Sequence, residues 1–520
     1  MRIAVVGGGI SGLAAAHRIV EIAPDVRVEL WEKTDRTGGV LSTKTEQGYQ
    51  VEESADNFIT TVPWGLDLCR RLGLEDQLVQ TNPKSRQTCV VHRNRLYKLP
   101  DGFLMMAPTQ MWPLAVTPLL TPWGKARAAM EYFIPPKKDA EDESMYDFGC
   151  RRMGREVFER LIEPLMSGVY GADMKKLSLL ATMPRFRDME RDHGSMIRAM
   201  RFQMKQNKNK SKAAKASKGE SSPQSGARYS MFVALRDGFA SLVQTLVDRL
   251  PEGAVKTGRA VSEMRLTSGE GAENSENAGS KWQLTDEAGR TETFDAVILA
   301  TPSGTAARLL KTVDEKLSAR VGSIEHTGTA IVTVAYRRNQ IGHKLDGAGF
   351  VVPAIENNPI LAGSFSSVKY PHRAPSGDAL IRIFAGGSRA PEMAVMPDGE
   401  LVDELTEALR PLLHIDGEPH FVSVAHWPRT MPQYHVGHLD KIADIERRVA
   451  DLPGLMLAGN AYHGVGVPAC IHSGEKAAEH VLGYAAESNI AEAVYRQTAG
   501  EDEADRSRDE MPSSPEAEAD

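Results

Sequence analysis

The first thirty residues change hydrophobic period twice. Ile3, Ala4, Val5 and Val6 form a short unbroken apolar run that ends in Gly7-Gly8-Gly9. Residues 13–20 have helix-forming composition, and 26–31 return to strand-like alternation, so the chain opens on a predicted βαβ unit. From 97 to 201 the pattern turns mostly helical and methionine-rich, broken by proline loops such as Ile134-Pro135-Pro136, and reads as a separate lobe. Strand runs recur at 295–300, 329–336, 379–384 and 419–426, and a final strand–turn–helix occupies 455–482. Two stretches read as solvated surface loops, 205–225 (Lys, Ser, Ala) and 267–280 (Ser, Gly, Glu, Asn). Beyond 487 the chain is acidic and poor in aromatics, the composition of a disordered tail. No internal repeat is evident.

Composition narrows the class. At roughly 150 residues per domain, 520 residues suggest about three lobes with enough core to fold without disulfides or structural metal. The chain is 41% hydrophobic and 25% charged, as in ordinary soluble proteins. Residues 501–520 hold nine acids against Arg506 and Arg508, a balance of −7 that equals the whole formal net charge. The remaining 500 residues are therefore neutral overall, which gives no global electrostatic case for nucleic acid. Cys69, Cys89, Cys150 and Cys470 lie far apart without metal-ligand spacing, so neither a disulfide framework nor a metal site is expected. No secretory leader precedes the first strand, and an intracellular protein is expected. The nearest approach to a membrane span, 103–120, carries Pro108, Pro113 and Pro118 and cannot be one continuous helix. It is expected to cap the second lobe, with a patch dipping into one face of a bilayer as the alternative.

Gly7-Gly8-Gly9-Ile10-Ser11-Gly12 fits G-x-G-x-x-G, placed between a predicted strand and helix. Gly7 suits the tight turn, Gly9 the approach of a pyrophosphate to the helix N-terminus, and Gly12 close packing of helix on strand. Glu32 follows Gly12 by twenty residues, at the end of the second strand, where a carboxylate can accept hydrogen bonds from a ribose. Dinucleotide binding is the expected chemistry.

The segment running from Glu32 to Gly39 reads E-x-x-x-R-x-G-G and resembles the second motif of the FAD-dependent amine-oxidase-like superfamily. Asp295-Ala296-Val297-Ile298-Leu299-Ala300-Thr301-Pro302, Leu455-Met456-Leu457-Ala458-Gly459-Asn460 and Gly464-Val465-Gly466-Val467 are similar to further segments of that superfamily. Many relatives carry Asp at the position of Asn460. The resemblance implies FAD as cofactor, held by Gly7, Gly9, Ser11, Gly12, Glu32, Lys33, Gly38, Gly39, Asp56, Asn57, Val261, Trp427, Gly459, Asn460, Val465, Gly466 and Val467. It also implies an N-terminus of the last helix that faces the flavin.

Three central segments, 161–178, 431–438 (Met-Pro-Gln-Tyr-His-Val-Gly-His) and 124–130, are similar to the oxygen-dependent protoporphyrinogen oxidases, above all to the Gram-positive coproporphyrinogen III oxidase type. The resemblance runs from about 1 to 485, sparing the Lys-rich insert and the tail. It implies an α/β fold: a Rossmann-like FAD-binding domain with a mixed-sheet substrate domain and an inserted helical lobe. The expected division is FAD-binding at 1–96, 229–302 and 451–486, a helical lobe at 97–201, a flexible insert at 202–228, a substrate domain at 303–450 and the tail at 487–520. The implied activity is oxidation of a porphyrinogen to the porphyrin in haem biosynthesis, with O2 as electron acceptor and H2O2 as product. Cytoplasmic location, transient contact with the next enzyme of that pathway and peripheral contact with the inner face of the cell membrane are expectations of the same kind. No catalytic side chain is assigned, because the flavin N5 takes the hydride; His435, His438 and His463 are expected to be structural or flavin neighbours. Arg93, Arg95, Lys98 and Lys369 are candidates for the substrate carboxylates. Two other readings stay open: a different flavin oxidase or desaturase of the superfamily, and a non-catalytic escort protein of the same fold.

Overall fold

The computed structural model describes residues 1–85, 87–216, 231–267 and 281–483. The acidic tail, the 268–280 loop and the end of the Lys-rich insert lie outside the described residues.

Four remote segments build one parallel sheet. Its order is Val255–Lys256, Arg27–Trp31, Arg2–Val6, Ala296–Leu299, Leu455–Leu457, with Val5 paired to Leu30 on one side and Ile298 on the other. The strands are short and apolar because both faces are covered. On one face lie the helices Ile10–Ile22 and Val467–Val481, packed through Leu13, Ala14, Ala15, Ile471, Ala477 and Ala478. On the other, Trp31, Val297 and Leu299 share a core with Trp282 and Phe294 of a three-stranded antiparallel layer, Val261–Thr267, Lys281–Asp286 and Thr291–Phe294. This is the expected Rossmann-like unit, and the rest of the fold class also holds.

The second sheet has seven strands in the order Phe421–Pro432, His326–Arg337, Asp378–Gly386, Ile360–Phe365, Gly349–Val351, Thr88–His92, Arg95–Lys98. It is antiparallel except where Gly349–Val351 runs beside Thr88–His92. The Thr88–Lys98 hairpin therefore completes this sheet, and a division at 96/97 cuts through its second strand. Alternation explains the placement: Cys89 and Val91 enter the core under helix Asp398–Leu413, while Val90 enters that of the helical lobe.

The helical lobe is packed around methionines, among them Met106, Met145, Met153, Met166 and Met196. Residues 103–120 form two short paired strands and the helix Met111–Val116, burying Leu114, Leu119 and Leu120 while Trp112 and Val116 stay exposed. Among the described residues no helix is long and apolar enough to cross a membrane. One expectation is corrected here. Residues 205–216, read as loop, continue the helix Met196–Ala216. Met196, Ile197, Ala199 and Met200 anchor its first turns, and Lys, Gln and Ala are good helix formers that extend it.

The lobe closes on one fully buried ion pair. Arg152 Nε donates to Glu131 Oε1 at 3.0 Å, and the same carboxylate accepts from Met196 N at 2.9 Å, which caps the long helix. Glu131→Ala would leave Arg152 charged, buried and short of its partner, a loss of about 3–5 kcal/mol. Denaturant unfolding of the variant should show it, with faster proteolysis inside the lobe than in the parallel sheet.

Candidate functional site

The carboxyl end of Arg2–Val6 delivers the first glycine motif. Gly7 has φ +110°, and a Cβ on Gly12 would stand 1.9 Å from its carbonyl oxygen, so these two glycines let helix and strand close on each other. Gly9 differs. It N-caps the thirteen-residue helix with no side-chain cap, and a Cβ there would meet nothing within 4 Å. A helix N-terminus without a side-chain cap and with open space beside its first glycine has the geometry that suits a phosphate. Ser11 is buried in the first turn of that helix.

The second motif is stacked on the first. Gly38 forms a bridge with Gly9 and donates its N–H to Gly8 O at 2.7 Å. A Cβ on Gly39 would come within 3.2 Å of Gly9 Cα, and Arg36 Nη2 holds Gly39 O at 2.9 Å. Glu32 is buried, its Oε2 accepting from Gly8 N at 2.6 Å and its Oε1 from Thr34 N and Oγ1 at 2.9 and 2.8 Å. The carboxylate therefore shapes the loop itself. Lys33 is exposed beside it, and Val261 is buried next to Trp31. Sequence reasoning passed over two further groups: the Thr301 and Ser303 hydroxyls are buried without a hydrogen-bond partner among the described residues. The signal was the 295–302 segment, whose Ala300 O and Thr301 Cγ2 crowd Gly7.

A second uncapped helix N-terminus stands nearby. Gly466 caps the fifteen-residue Val467–Val481 with no side-chain hydrogen bond. Val465 packs toward the helical lobe and Val467 into the core of the parallel sheet. Gly459 has φ +132° and open space where a Cβ would be, and its N–H donates to Ser473 Oγ at 3.1 Å. Asn460 turns its Nδ2 to Thr430 O at 3.0 Å and accepts on its backbone oxygen from the Tyr434 hydroxyl. The same hydroxyl accepts from Gly464 N at 2.8 Å. The 431–438 segment thus braces the turn that leads into the last helix. Its His438 stacks on Tyr434 at 4.0 Å, donates from Nε2 to Tyr462 O and is driven by burial down to about 4, so it is neutral at pH 7. His435 is half-buried, 3.7 Å from Glu325, and His463 is exposed, 2.6 Å from Glu446. Burial pushes the Cys470 thiol up to about 12, so no thiolate stands by this turn at neutral pH.

Asp56 and Asn57 belong to a buried charge cluster. Asn57 Nδ2 donates to Asp56 Oδ1 at 2.9 Å, and Asp56 Oδ2 lies 2.8 Å from Lys369, 3.5 Å from Arg382 and 3.6 Å from Arg373. Burial alone would raise the Asp56 carboxyl, but Lys369, Arg382 and Arg373 together hold it below the usual carboxylate range. Three cations face two carboxylates, Asp56 and Glu52, and Arg373 Nε, Arg373 Nη1 and Arg382 Nε have no hydrogen-bond partner among the described residues. Trp427 leans on the same segment, donating to Glu53 O at 2.6 Å. Of the substrate candidates only Lys369 is here. Arg93, Arg95 and Lys98 are exposed on the hairpin at the opposite sheet edge, six strand spacings or roughly 30 Å from the strand of Trp427. There Lys98 pairs with Asp346 at 2.9 Å, and the Arg93 backbone N–H donates to Glu356.

Two helix N-termini without side-chain caps, an open glycine cradle and buried hydroxyls without a partner among the described residues fit FAD, whose pyrophosphate would suit the first terminus and whose ring, anionic when reduced, would suit the second. Comparison with known proteins agrees. The model of the flavin containing amine oxidoreductase family matches residues 10–482. Coproporphyrinogen III oxidase of Bacillus subtilis (strain 168) is 32% identical over 93% of this chain and 98% of its own. Protoporphyrinogen oxidase 2, chloroplastic/mitochondrial, of Arabidopsis thaliana is 28% identical over 93% and 94%. Among solved structures, "Putative protoporphyrinogen oxidase from Exiguobacterium sp. 255-15" superposes with a TM-score of 0.79 at 27% identity, covering 92% of this chain and 98% of that one.

The cradle makes a sharp prediction. Gly9→Val should fold, because its backbone is ordinary (φ −70°) and its Cβ meets no protein atom, yet it should lose FAD. Gly12→Val should damage the fold itself. Flavin absorbance against the circular dichroism of the purified variants separates the two. FAD should also be held non-covalently, since Cys470 remains a thiol: acid precipitation should leave the yellow colour in the supernatant, and a yellow pellet would refute the point.

Proposed function

The chain belongs to the flavin containing amine oxidoreductase family, and within it we propose that it oxidises a porphyrinogen to the porphyrin in haem biosynthesis, with coproporphyrinogen III as preferred substrate. The observation that carries this reading is the end-to-end match to a protein named coproporphyrinogen III oxidase, including 98% of that protein's length. A match confined to the dinucleotide motifs would support only a shared cofactor.

FAD, when bound, would supply a two-electron acceptor, so the six electrons separating porphyrinogen from porphyrin would leave in three rounds, with O2 as the final acceptor and H2O2 as its product. The protein's own share is placement. The Gly9 and Gly466 helix termini would hold the cofactor, Tyr434 would keep the turn before Gly466 in place, and no side-chain nucleophile would be needed. His438, buried, neutral and donating to Tyr462 O, orients its loop rather than moving a proton. The surplus of cationic groups around Asp56 creates a positive field beside Asn57, favourable to a substrate that carries carboxylates. Four propionates on coproporphyrinogen III respond to that field more than the two on protoporphyrinogen IX, which is the physical ground for the stated preference.

The test is turnover of the purified flavoprotein with coproporphyrinogen III, protoporphyrinogen IX and a panel of primary amines, in air and without oxygen. Red porphyrin fluorescence that develops only in air, with the higher kcat/KM on coproporphyrinogen III, is expected. A higher kcat/KM on protoporphyrinogen IX would refute the substrate preference alone. Oxidation of amines to aldehydes with no porphyrin formed would refute the whole reading and leave another oxidase of the family.

A further inference from the structure

A cleft of about 320 Å³ opens where the helical lobe meets the end of the seven-stranded sheet, and the chemistry above makes no use of it. Its floor is apolar: the rings of Tyr146 and Phe158 meet edge to face with centroids 5.2 Å apart, and Ala172 and Met174 lie beside them. Ala354 and Ile355, both exposed, form part of the rim. The helix Glu163–Tyr170 walls this cleft off from the sheet face that carries Lys369's neighbours. Glu163 lines the cleft, whereas Gly168 faces Val351 and Ala362 of the sheet, each 3.8 Å from where its Cβ would be. Five residues apart on a helix, the two positions point about 140° away from each other. The strand face of Ala362 is also that of Ser364, whose hydroxyl accepts from Lys369 at 3.3 Å, so the cleft lies on another side of the helix from the Asp56 cluster.

The charged groups around the rim decide what fits. Glu163 gives one oxygen to Ala354 N at 3.1 Å and the other to Arg389, whose Nη1 holds Val352 O at 2.8 Å. Glu159 pairs with Arg155 at 2.6 Å, and Asp173 accepts from the backbone N–H of Lys175 at 2.9 Å. Each carboxylate of the rim therefore already has a donor. Lys175 differs: it is exposed, and its ammonium stands 5.5 Å over the Tyr146 ring with no carboxylate in pairing distance among the described residues. A cation held over an aromatic floor can take an anion without giving up another partner.

We propose that this cleft binds a small aromatic carboxylate, with its ring against Tyr146 and Phe158 and its carboxylate on Lys175, as an effector site separate from the one where substrate is oxidised. The volume lies at the lower end of the range for small-molecule sites, about 300–1,000 Å³. It suits one or two fused rings and not a whole tetrapyrrole. The lining segment also gives the ligand a route to the rest of the molecule. Gly171 O accepts from Ser388 N at 2.7 Å, Lys176 O accepts from Val436 N at 2.9 Å, and Leu177 bridges to His435. A ligand on residues 172–175 thus bears on the segment 431–438 that braces the turn before Gly466. The inference does not depend on which substrate is oxidised.

The test is calorimetric titration of the full-length flavoprotein with 2-naphthoate, neutral 2-naphthol and cationic 2-naphthylmethylamine. Expected is a one-to-one complex with 2-naphthoate, at least about tenfold tighter than with either analogue. Lys175→Glu should weaken it by about tenfold or more, and Ala354→Trp should abolish it by filling the rim. Both variants should keep their FAD and melting temperature, because both positions are exposed. Excess coproporphyrin III should leave the naphthoate complex in place. No binding of 2-naphthoate by the wild type, or binding by either variant that matches the wild type's, would overturn the proposal. So would displacement by coproporphyrin III, which would put the ligand in the substrate site. None of these outcomes changes porphyrinogen turnover by the wild type, so the oxidase reading stands or falls separately.

Discussion

The closest approach of two helices decides the architecture. A Cβ on Gly474 would stand 2.0 Å from the carbonyl oxygen of Ser11, so the first and last helices of the described residues touch backbone to backbone. Only residues without side-chain bulk at the crossing allow it, and Ala14 and Ala15 on the partner helix extend the same close seam. The contact brings a segment near residue 10 against one near residue 470. It also sets two uncapped helix N-termini, at Gly9 and Gly466, on one side of one sheet. Everything between those segments is accommodated as excursions from that pair. The strands 296–299 and 455–457 return to the first sheet, while the seven-stranded sheet and the helical lobe grow out of the crossings between them.

Charge is buried in this protein where layers must be held in register. The Glu131–Arg152 pair ties the turn at 130–133 to the helix starting at Met196, and the Asp56 cluster ties the 52–57 segment to the short helix Ser366–Lys369 and the strand Asp378–Gly386. The two differ in completeness. Glu131 is satisfied by a guanidinium, a hydroxyl and backbone N–H groups. The Asp56 cluster keeps guanidinium nitrogens without a hydrogen-bond partner among the described residues, a costly arrangement inside a core. Such a residue of positive charge is expected at a binding site rather than in a purely structural pair.

The dinucleotide loop is legible in the sequence because its chemistry is local: the glycines, the helix they open and the acid at the next strand's end lie within forty residues. What Glu32 does there is not legible. Its carboxylate bonds Gly8 and Thr34, and spacing alone cannot distinguish a ribose ligand from a loop brace. Lys369 and Arg93 look alike as lone basics in the sequence. One is buried against Asp56 and the other lies on a hairpin across the sheet, a difference set by strand order alone. The extension of a helix through 205–216 was hidden because lysine-rich composition reads as solvated chain, although the same residues extend a helix once apolar turns anchor it. The burial of 103–120 was half legible: its prolines exclude a span, but which of its apolar side chains face outward depends on packing.

The segment 431–438 shows why a motif that reads as an ordinary proline-bounded loop can be indispensable. Taken alone, its histidines suggest metal or proton chemistry. In the fold, Tyr434 O accepts from Ser178 N of the helical lobe at 2.7 Å, and its hydroxyl joins Asn460 O to Gly464 N. Gln433 Nε2 reaches Thr327 Oγ1 of the long strand His326–Arg337 at 3.0 Å, and His438 reaches Tyr462 O. One strap of eight residues therefore joins the helical lobe, the second sheet and the turn before Gly466, through the side chains of Gln433, Tyr434 and His438. A neutral imidazole stacked on a phenol holds such a join unchanged across ordinary pH, whereas a titrating one would loosen it. Just before the strap, Thr430 O anchors the Asn460 side chain, so the turn at 459–464 is held by hydrogen bonds rather than by charge.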